Sequence, residues 1–208
     1  IKVPIFALSN GIDLDRYTYD QSKVDAFREY FNLSSTDKVV VSAGLYFMRK
    51  GIDEFVEVAR RMPNVTFIWF GETNKYVIPS KVRAIVRKNH PKNVIFAGYI
   101  KGDVFEGAMS GSNAFFFPSR EETEGIVVLE ALASRQNVLL RDIPVYDGWL
   151  DSTNCLFSNN VEGFVTSLKS ILDGQVDKRQ EGYRVAESRD IRVIASKLVS
   201  IYKKVMEL

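Results

Sequence analysis

The strongest constraint on the fold is one local pattern that recurs along the chain. A continuous apolar run ends at a glycine or a polar loop, and a segment with helical spacing follows. The runs fall at 38–43, 65–70, 94–97, 114–117 and 138–140. They are rich in Val, Ile, Leu and Phe and do not alternate with polar residues. A strand that is apolar at every position has both faces covered, as in parallel sheets flanked by helices. Helical spacing predicts helices at 21–31, 52–62, 80–89, 103–110, 125–134 and 161–173, and a last one over 191–205 capped by Asp190. A short sixth strand is expected at 155–157 and an irregular stretch at 144–153. Residues 1–8 read as an edge strand or a linker. The alternation predicts an α/β fold: a Rossmann-like, doubly wound parallel sheet with right-handed crossovers.

Composition narrows the function classes. Of 208 residues, 46% are hydrophobic and 26% charged, which is the balance of an ordinary soluble globular domain. A net charge of +2 gives no electrostatic case for nucleic acid. Cys155 and His90 are the lone members of their types, so neither a disulfide nor a Cys/His metal site is expected. Cys155 reads as a packed thiol and His90 as a helix-end group. A reducing, cytoplasmic compartment fits. No apolar run reaches the length of about 18 residues that a membrane span needs. The first residues, IKVPIFALSNGIDLDRY, have no signal-peptide layout and read as the middle of a larger protein.

The unusual residues cluster where strands end, which is where open α/β sheets bind ligands. After the first run comes Gly44-Leu45-Tyr46-Phe47-Met48-Arg49-Lys50-Gly51, just before a helix. Two adjacent cations at a helix N-terminus oppose its dipole unless an anion is near. A diphosphate would be such an anion; the alternative is a solvated basic loop. The fourth run leads into PSREETEGIVVLEALA, from Pro118 to Ala133. Gly125 opens a helix whose first N–H groups would face an anion, or it merely allows a tight turn. Glu130 interrupts the apolar helix and needs partners; ribose hydroxyls would serve, and so would solvent or a neighbouring loop. Glu122 precedes it by eight positions, in the polar loop with Glu121 and Glu124. No GxGxxG follows the first run and no GxxxxGK[ST] is present, so dinucleotide and P-loop readings lack support.

PSREETEGIVVLEALA resembles the E-x7-E signature of retaining glycosyltransferases of family 4, which have the GT-B fold. Asn10-Gly11-Ile12-Asp13 is similar to the family's NG(V/I)D lead-in to its C-terminal domain, and Gly44–Gly51 to its phosphate loop. Phe70-Gly71, Phe96-Ala97-Gly98-Tyr99 and Phe117-Pro118-Ser119 fall at its strand-end motifs. RKGIDEFVEVA, FIWFGE and LLRDIPVYDGW resemble bacterial members that glucosylate diacylglycerol lipids. The pattern is departed from in places. Leu45 stands where many members have Arg, Thr123-Glu124 where a Gly–aromatic pair is common, and Arg135 and Asn137 where Gly and Pro are usual.

The resemblance implies a linker over 1–20, a donor-binding domain over 21–188 and an amphipathic helix over 189–208. It implies that Glu122 touches the hexose and Glu130 the ribose. Arg49 and Lys50 would neutralise the diphosphate with the backbone at Gly125, Ile126 and Val127. Gly44, Gly71, Gly98, Tyr99, Ser119, Thr123 and Glu124 complete the expected donor contacts, with Glu124 beside the diphosphate and the base near Gly98 and Tyr99. The co-substrate implied is a nucleotide sugar, UDP-hexose ahead of GDP-hexose, without metal or other cofactor. The acceptor, a lipid or glycan, would bind an N-terminal half that this chain lacks. The isolated chain is then expected to bind the donor and to transfer weakly or not at all. Cations Arg192, Lys197, Lys203 and Lys204 leave open a peripheral membrane contact at the inner face. Two other readings stay open: a non-catalytic nucleotide-binding or interaction module, and a GT-B sugar-nucleotide epimerase.

Overall fold

The structure, a computed structural model, describes residues 4–74 and 76–207. The apolar runs become β1 (Val39–Ala43), β2 (Thr66–Phe70), β3 (Val94–Gly98), β4 (Ala114–Phe117), β5 (Val138–Arg141) and β6 (Leu156–Ser158). They form one parallel sheet in the order β3-β2-β1-β4-β5-β6. The chain runs outward from β1 to β3, then returns to the centre for β4. The order therefore reverses between β1 and β4, and their carboxyl ends open the crevice where such sheets take ligands.

Side chains of each strand divide between two cores, since neighbours point to opposite faces. Val39, Val41 and Ala43 join Phe115, Phe117, Val138 and Leu140 on one face. That face is covered by α1 (Gln21–Tyr30), α4 (Asp103–Gly111), α5 (Ile126–Ala133) and α7 (Arg179–Ser188), through Phe27, Met109, Leu132 and Ala186. Val40, Phe67, Trp69, Phe116 and Leu139 face the other way. There α2 (Ile52–Arg61), α3 (Ser80–Arg87) and α6 (Val161–Leu172) bring Phe55, Val82, Phe164 and Leu168. Both faces are dry, which is why the runs have no polar alternation. Each such side chain contributes about 1.5–3 kcal/mol by leaving water. Helix α4 meets α1 backbone to backbone. A Cβ on Gly107 would lie 1.9 Å from the Lys23 carbonyl oxygen, and one on Gly111 2.6 Å from Val24 Cγ1.

Three features differ from the sequence expectation. Helix α7 was not expected; it buries only Gly182 and Ala186, so no stripe of large apolar residues marks it. Of residues 1–8, the first three lie outside the described residues and 4–8 form neither helix nor strand. The 144–153 stretch contains a 3₁₀ turn, Pro144–Tyr146. Arg135 adopts a left-handed backbone (φ 56°), which accounts for a glycine being usual there. Its guanidinium compensates by lying 3.6 Å from the Tyr183 ring and bonding Gln180 on α7 at 2.9 Å. Asn137 Oδ1 accepts the Lys178 N–H at 2.8 Å, so both departures fasten the turn between α5 and β5 to the start of α7.

The final helix, α8 (Ile191–Met206), is capped by Asp190, whose side chain accepts the Arg192 N–H. It starts beside the segment that precedes α1. Ile12 N–H donates to Arg189 O and Ile191 N–H to Ile12 O, each at 2.9 Å. Ile194 is buried, while Ile191, Val199, Tyr202 and Val205 are exposed. Among the described residues, no helix is long and apolar enough to cross a membrane.

Candidate functional site

A cleft of about 690 Å³ lies over the carboxyl ends of β1 and β4. One wall is the loop after β1. Gly44 closes that strand, its carbonyl accepting the Trp69 indole N–H at 2.8 Å. A 3₁₀ turn, Met48–Lys50, then aims Arg49 and Lys50 at the cleft before α2 begins. Gly51 makes the turn possible in two ways. Its φ is +76°, and a Cβ there would lie 2.2 Å from the Pro118 carbonyl oxygen. The loops after β1 and β4 are thus pressed together.

Polar contacts lock that junction. Arg120 N–H donates to Arg49 O at 2.6 Å, and Ser119 Oγ donates to Arg49 O and Glu121 O at 3.3 and 3.1 Å. The Arg120 guanidinium reaches Met48 O at 2.7 Å, Asp53 at 2.9 Å and Glu54 at 2.5 Å. Arg141 donates to the same Glu54 oxygen as Arg120 and also to Pro118 O. Asp53 and Glu54 sit in the first turn of α2, where carboxylates complement the helix dipole. The electrostatic mismatch read from Arg49 and Lys50 alone is therefore partly offset by acids in the same turn.

Inside the cleft, Lys50 Nζ pairs with Glu122 Oε1 at 2.5 Å, their side chains 13% and 7% exposed. The Lys50 ammonium also lies 5.4 Å from the centre of the Phe117 ring. Gly125 (φ +80°) starts α5 without a side-chain cap. Gly125, Ile126 and Val127 line the cleft, so the uncapped end of that helix faces it. One turn on, Glu130 receives a hydrogen bond from the Tyr17 hydroxyl at 2.8 Å. Burial raises the pKa of Glu130, opposed by that bond and by the charge of Arg16. Burial and the Glu130 charge push the Tyr17 phenol upward as well. Gly71, Tyr99, Ile100 and Lys101 form the opposite wall.

Of the residues expected to meet a donor, Gly44, Arg49, Lys50, Gly71, Tyr99, Glu122, Thr123, Gly125, Ile126, Val127 and Glu130 share this cleft. Gly98, Ser119 and Glu124 are not among its walls. Gly98 lies near the Tyr46 hydroxyl, whose pKa burial pushes up to about 12. Ser119 is fully buried and works on the loop backbone. Glu124 turns away from the place expected for it. Its carboxylate accepts the Asn10 N–H at 2.8 Å and the Asn10 side-chain amide, and it pairs with Arg189 at 3.4 Å. Arg189 in turn lies 4.1 Å from the Trp149 ring. Glu124 thus ties the segment before α1 to the one before α8. Glu124→Ala is expected to lower stability by about 1–2 kcal/mol, since it strands Arg189 and Asn10. UDP affinity should stay within about twofold of the parent, within the spread of a surface change. Calorimetric unfolding and titration on the same sample check both.

Sequence reading missed Tyr17, Arg16 and Lys101. Tyr17 lies in a polar-aromatic stretch with no helical or strand period, and 113 positions separate it from Glu130. Among the described residues, no group of three or more His, Cys, Asp or Glu is placed to hold a metal ion.

The fold and cleft place the chain in a known class. The sequence profile of glycosyl transferases group 1 matches residues 23–188, and the chain belongs to that family. Its α/β sheet matches the C-terminal half of GT-B glycosyltransferases. Among relatives, it is 49% identical over 210 residues to a processive diacylglycerol alpha-glucosyltransferase of Acholeplasma laidlawii, covering all of this chain and 63% of that protein. It is 32% identical over 132 residues to an alpha-galactosylglucosyldiacylglycerol synthase of Streptococcus pneumoniae, covering 61% of this chain and 34% of that one. The chain therefore spans less than two thirds of the length of either relative. Among solved structures, Anabaena Alr3699/HepE in complex with UDP and glucose superposes with a TM-score of 0.80 at 18% identity, over 94% of this chain and 56% of that one.

Proposed function

We propose that this chain is the donor-binding half of a retaining hexosyltransferase that takes glucose from UDP-glucose and passes it to a diacylglycerol-type lipid. The observation that carries the reading is the convergence of Arg49, Lys50, Glu122, the uncapped start of α5 and Glu130 on one cleft. Two cations, two carboxylates and an uncapped helix start in one cleft suit a nucleotide sugar. Glu130 would accept from the ribose hydroxyls and Glu122 from the hexose. Arg49, Lys50 and the α5 N–H groups would surround the diphosphate. As the bond from sugar to phosphate breaks, negative charge grows on the departing oxygen. Cations and N–H dipoles fixed there stabilise that charge more than the ground state. Lys50 and Glu122 neutralise each other in the cleft. A donor would separate them, its phosphate taking the lysine and its hydroxyls the glutamate.

The lipid acceptor rests on the relatives' names and on the 49% identity. Such an acceptor would bring the protein to the inner face of a membrane. The exposed apolar residues of α8, flanked by Arg192, Lys197, Lys203 and Lys204, suit a peripheral contact there.

The test is calorimetric titration with UDP, UDP-glucose, GDP, GDP-mannose and NAD, on the parent chain and on Glu130→Ala. Saturable binding of the uridine compounds, weakened about tenfold or more in Glu130→Ala, is the expected result. Equal affinity for all five ligands, or indifference to Glu130→Ala, would sink the assignment.

A further inference from the structure

Glu130 is held by a residue that lies outside the donor loop and its helix. Tyr17 comes from the short turn Leu14–Tyr17, before α1. Its ring is buried, and its hydroxyl spends its hydrogen on Oε1 of Glu130. The turn is fixed on every side. Asp13 caps it through the Asp15 N–H. Arg16 pairs with Glu106 of α4 at 3.1 Å, and Lys23 of α1 pairs with the same carboxylate at 2.7 Å. Upstream, Asn10 is clasped by Glu124, and Ile12 bonds both Arg189 and Ile191. A phenol so anchored sets the plane of the carboxylate. It occupies Oε1 of a residue that lines the cleft, while Oε2 has no hydrogen-bond partner among the described residues.

We propose that Tyr17 is a positioning residue that makes this site selective for ribonucleotides, by holding Glu130 so that its free oxygen meets a ribose 2′-hydroxyl. The inference rests on the reading of Glu130 as the ribose carboxylate and adds the residue that orients it. A carboxylate free to turn would serve the remaining sugar oxygens about as well with or without the 2′-hydroxyl. A carboxylate pinned at one oxygen cannot follow when its partner is missing, and discrimination results.

A pH signature follows. Glu130 must be ionised to accept from the ribose. Burial already raises its pKa, and the Tyr17 bond opposes that rise. The charged groups facing the pair are Arg16 of the same turn and Glu106 of α4. Removing the hydroxyl removes a bond that favours the carboxylate, so the pKa of Glu130 climbs further. Affinity for UDP is lost as pH falls through that pKa, so the loss in Tyr17→Phe should begin at higher pH than in the parent.

The experiment is titration of UDP and 2′-deoxy-UDP into the parent chain, Tyr17→Phe and Glu130→Ala, at several pH values. Tyr17→Phe keeps the ring and its packing, and thermal melting confirms folding of each variant. The proposal expects the parent to prefer UDP and Tyr17→Phe to lose about tenfold for UDP while hardly changing for the deoxy compound. Equal losses for both ligands would show a merely structural tyrosine and overturn it. Unchanged UDP affinity in Tyr17→Phe, with Glu130→Ala still impaired, would overturn it and leave the donor-site reading standing. Indifference to Glu130→Ala would remove the donor-site reading itself, and this proposal with it.

Discussion

On the proposed donor-site reading, replacing Lys50 by alanine is expected to lower sugar transfer from UDP-glucose by about 100- to 1,000-fold, measured in a protein that carries both GT-B halves, the range found when one fixed donor is removed from developing charge. The effect should fall mainly on kcat, because the charge on the departing diphosphate is largest in the transition state. UDP affinity of the chain itself should weaken less. Lys50→Arg is the informative companion. It keeps the charge, but the fork is longer and planar, and the cleft position is enclosed by Glu122 and Phe117. Partial recovery would support a charge-placing role. A Lys50→Ala variant with kcat within threefold of the parent would remove Lys50 from the mechanism. Stability has to be read alongside, since the change leaves Glu122 without its partner in a nearly buried place.

The second large effect is on the fold around the site. Gly51→Ala should destabilise the chain by about 2–5 kcal/mol. A left-handed backbone costs a non-glycine residue about 1–2 kcal/mol. The added methyl would also stand 2.2 Å from Pro118 O, and overpacking of that kind costs about 1–3 kcal/mol. For a domain of this size that is a fall in Tm of about 4–20 °C. The obstacle is backbone rather than the end of a flexible side chain, so relief requires the β1 and β4 loops to separate. Donor binding should weaken in the same variant even at temperatures where it is folded. A melting curve that overlays the parent's would contradict the close approach.

Much of the architecture was legible because burial on both faces erases polar alternation. Runs such as Val39-Val40-Val41 and Phe115-Phe116-Phe117 therefore announce central parallel strands. Helix α7 was not legible because what it buries is small, Gly182 and Ala186, and small residues carry little apolar signal. In the cleft, Arg49, Lys50 and Glu130 stood out because each conflicts with its local surroundings unless something else is present, whereas Glu122 and Gly125 were marked by their place in the E-x7-E resemblance. Tyr17 conflicts with nothing nearby; its partner is brought to it by the fold. Glu124 shows a different limit. Its neighbours Thr123 and Gly125 line the cleft while its own carboxylate goes to Asn10 and Arg189. Spacing along a loop does not say which way a side chain turns.

The glycine contact between α1 and α4 has a dynamic consequence. With backbone against backbone at Gly107, and Glu106 holding Arg16 and Lys23, neither helix can loosen without the other. The turn bearing Tyr17 is tied to the same pair. Amide hydrogens across α1, α4 and this turn should then exchange with solvent in one cooperative opening rather than fray separately. The Glu130 end of the cleft would have the lifetime of that whole unit, while the wall at Tyr99 and Lys101, with its exposed side chains, would be free to breathe on its own.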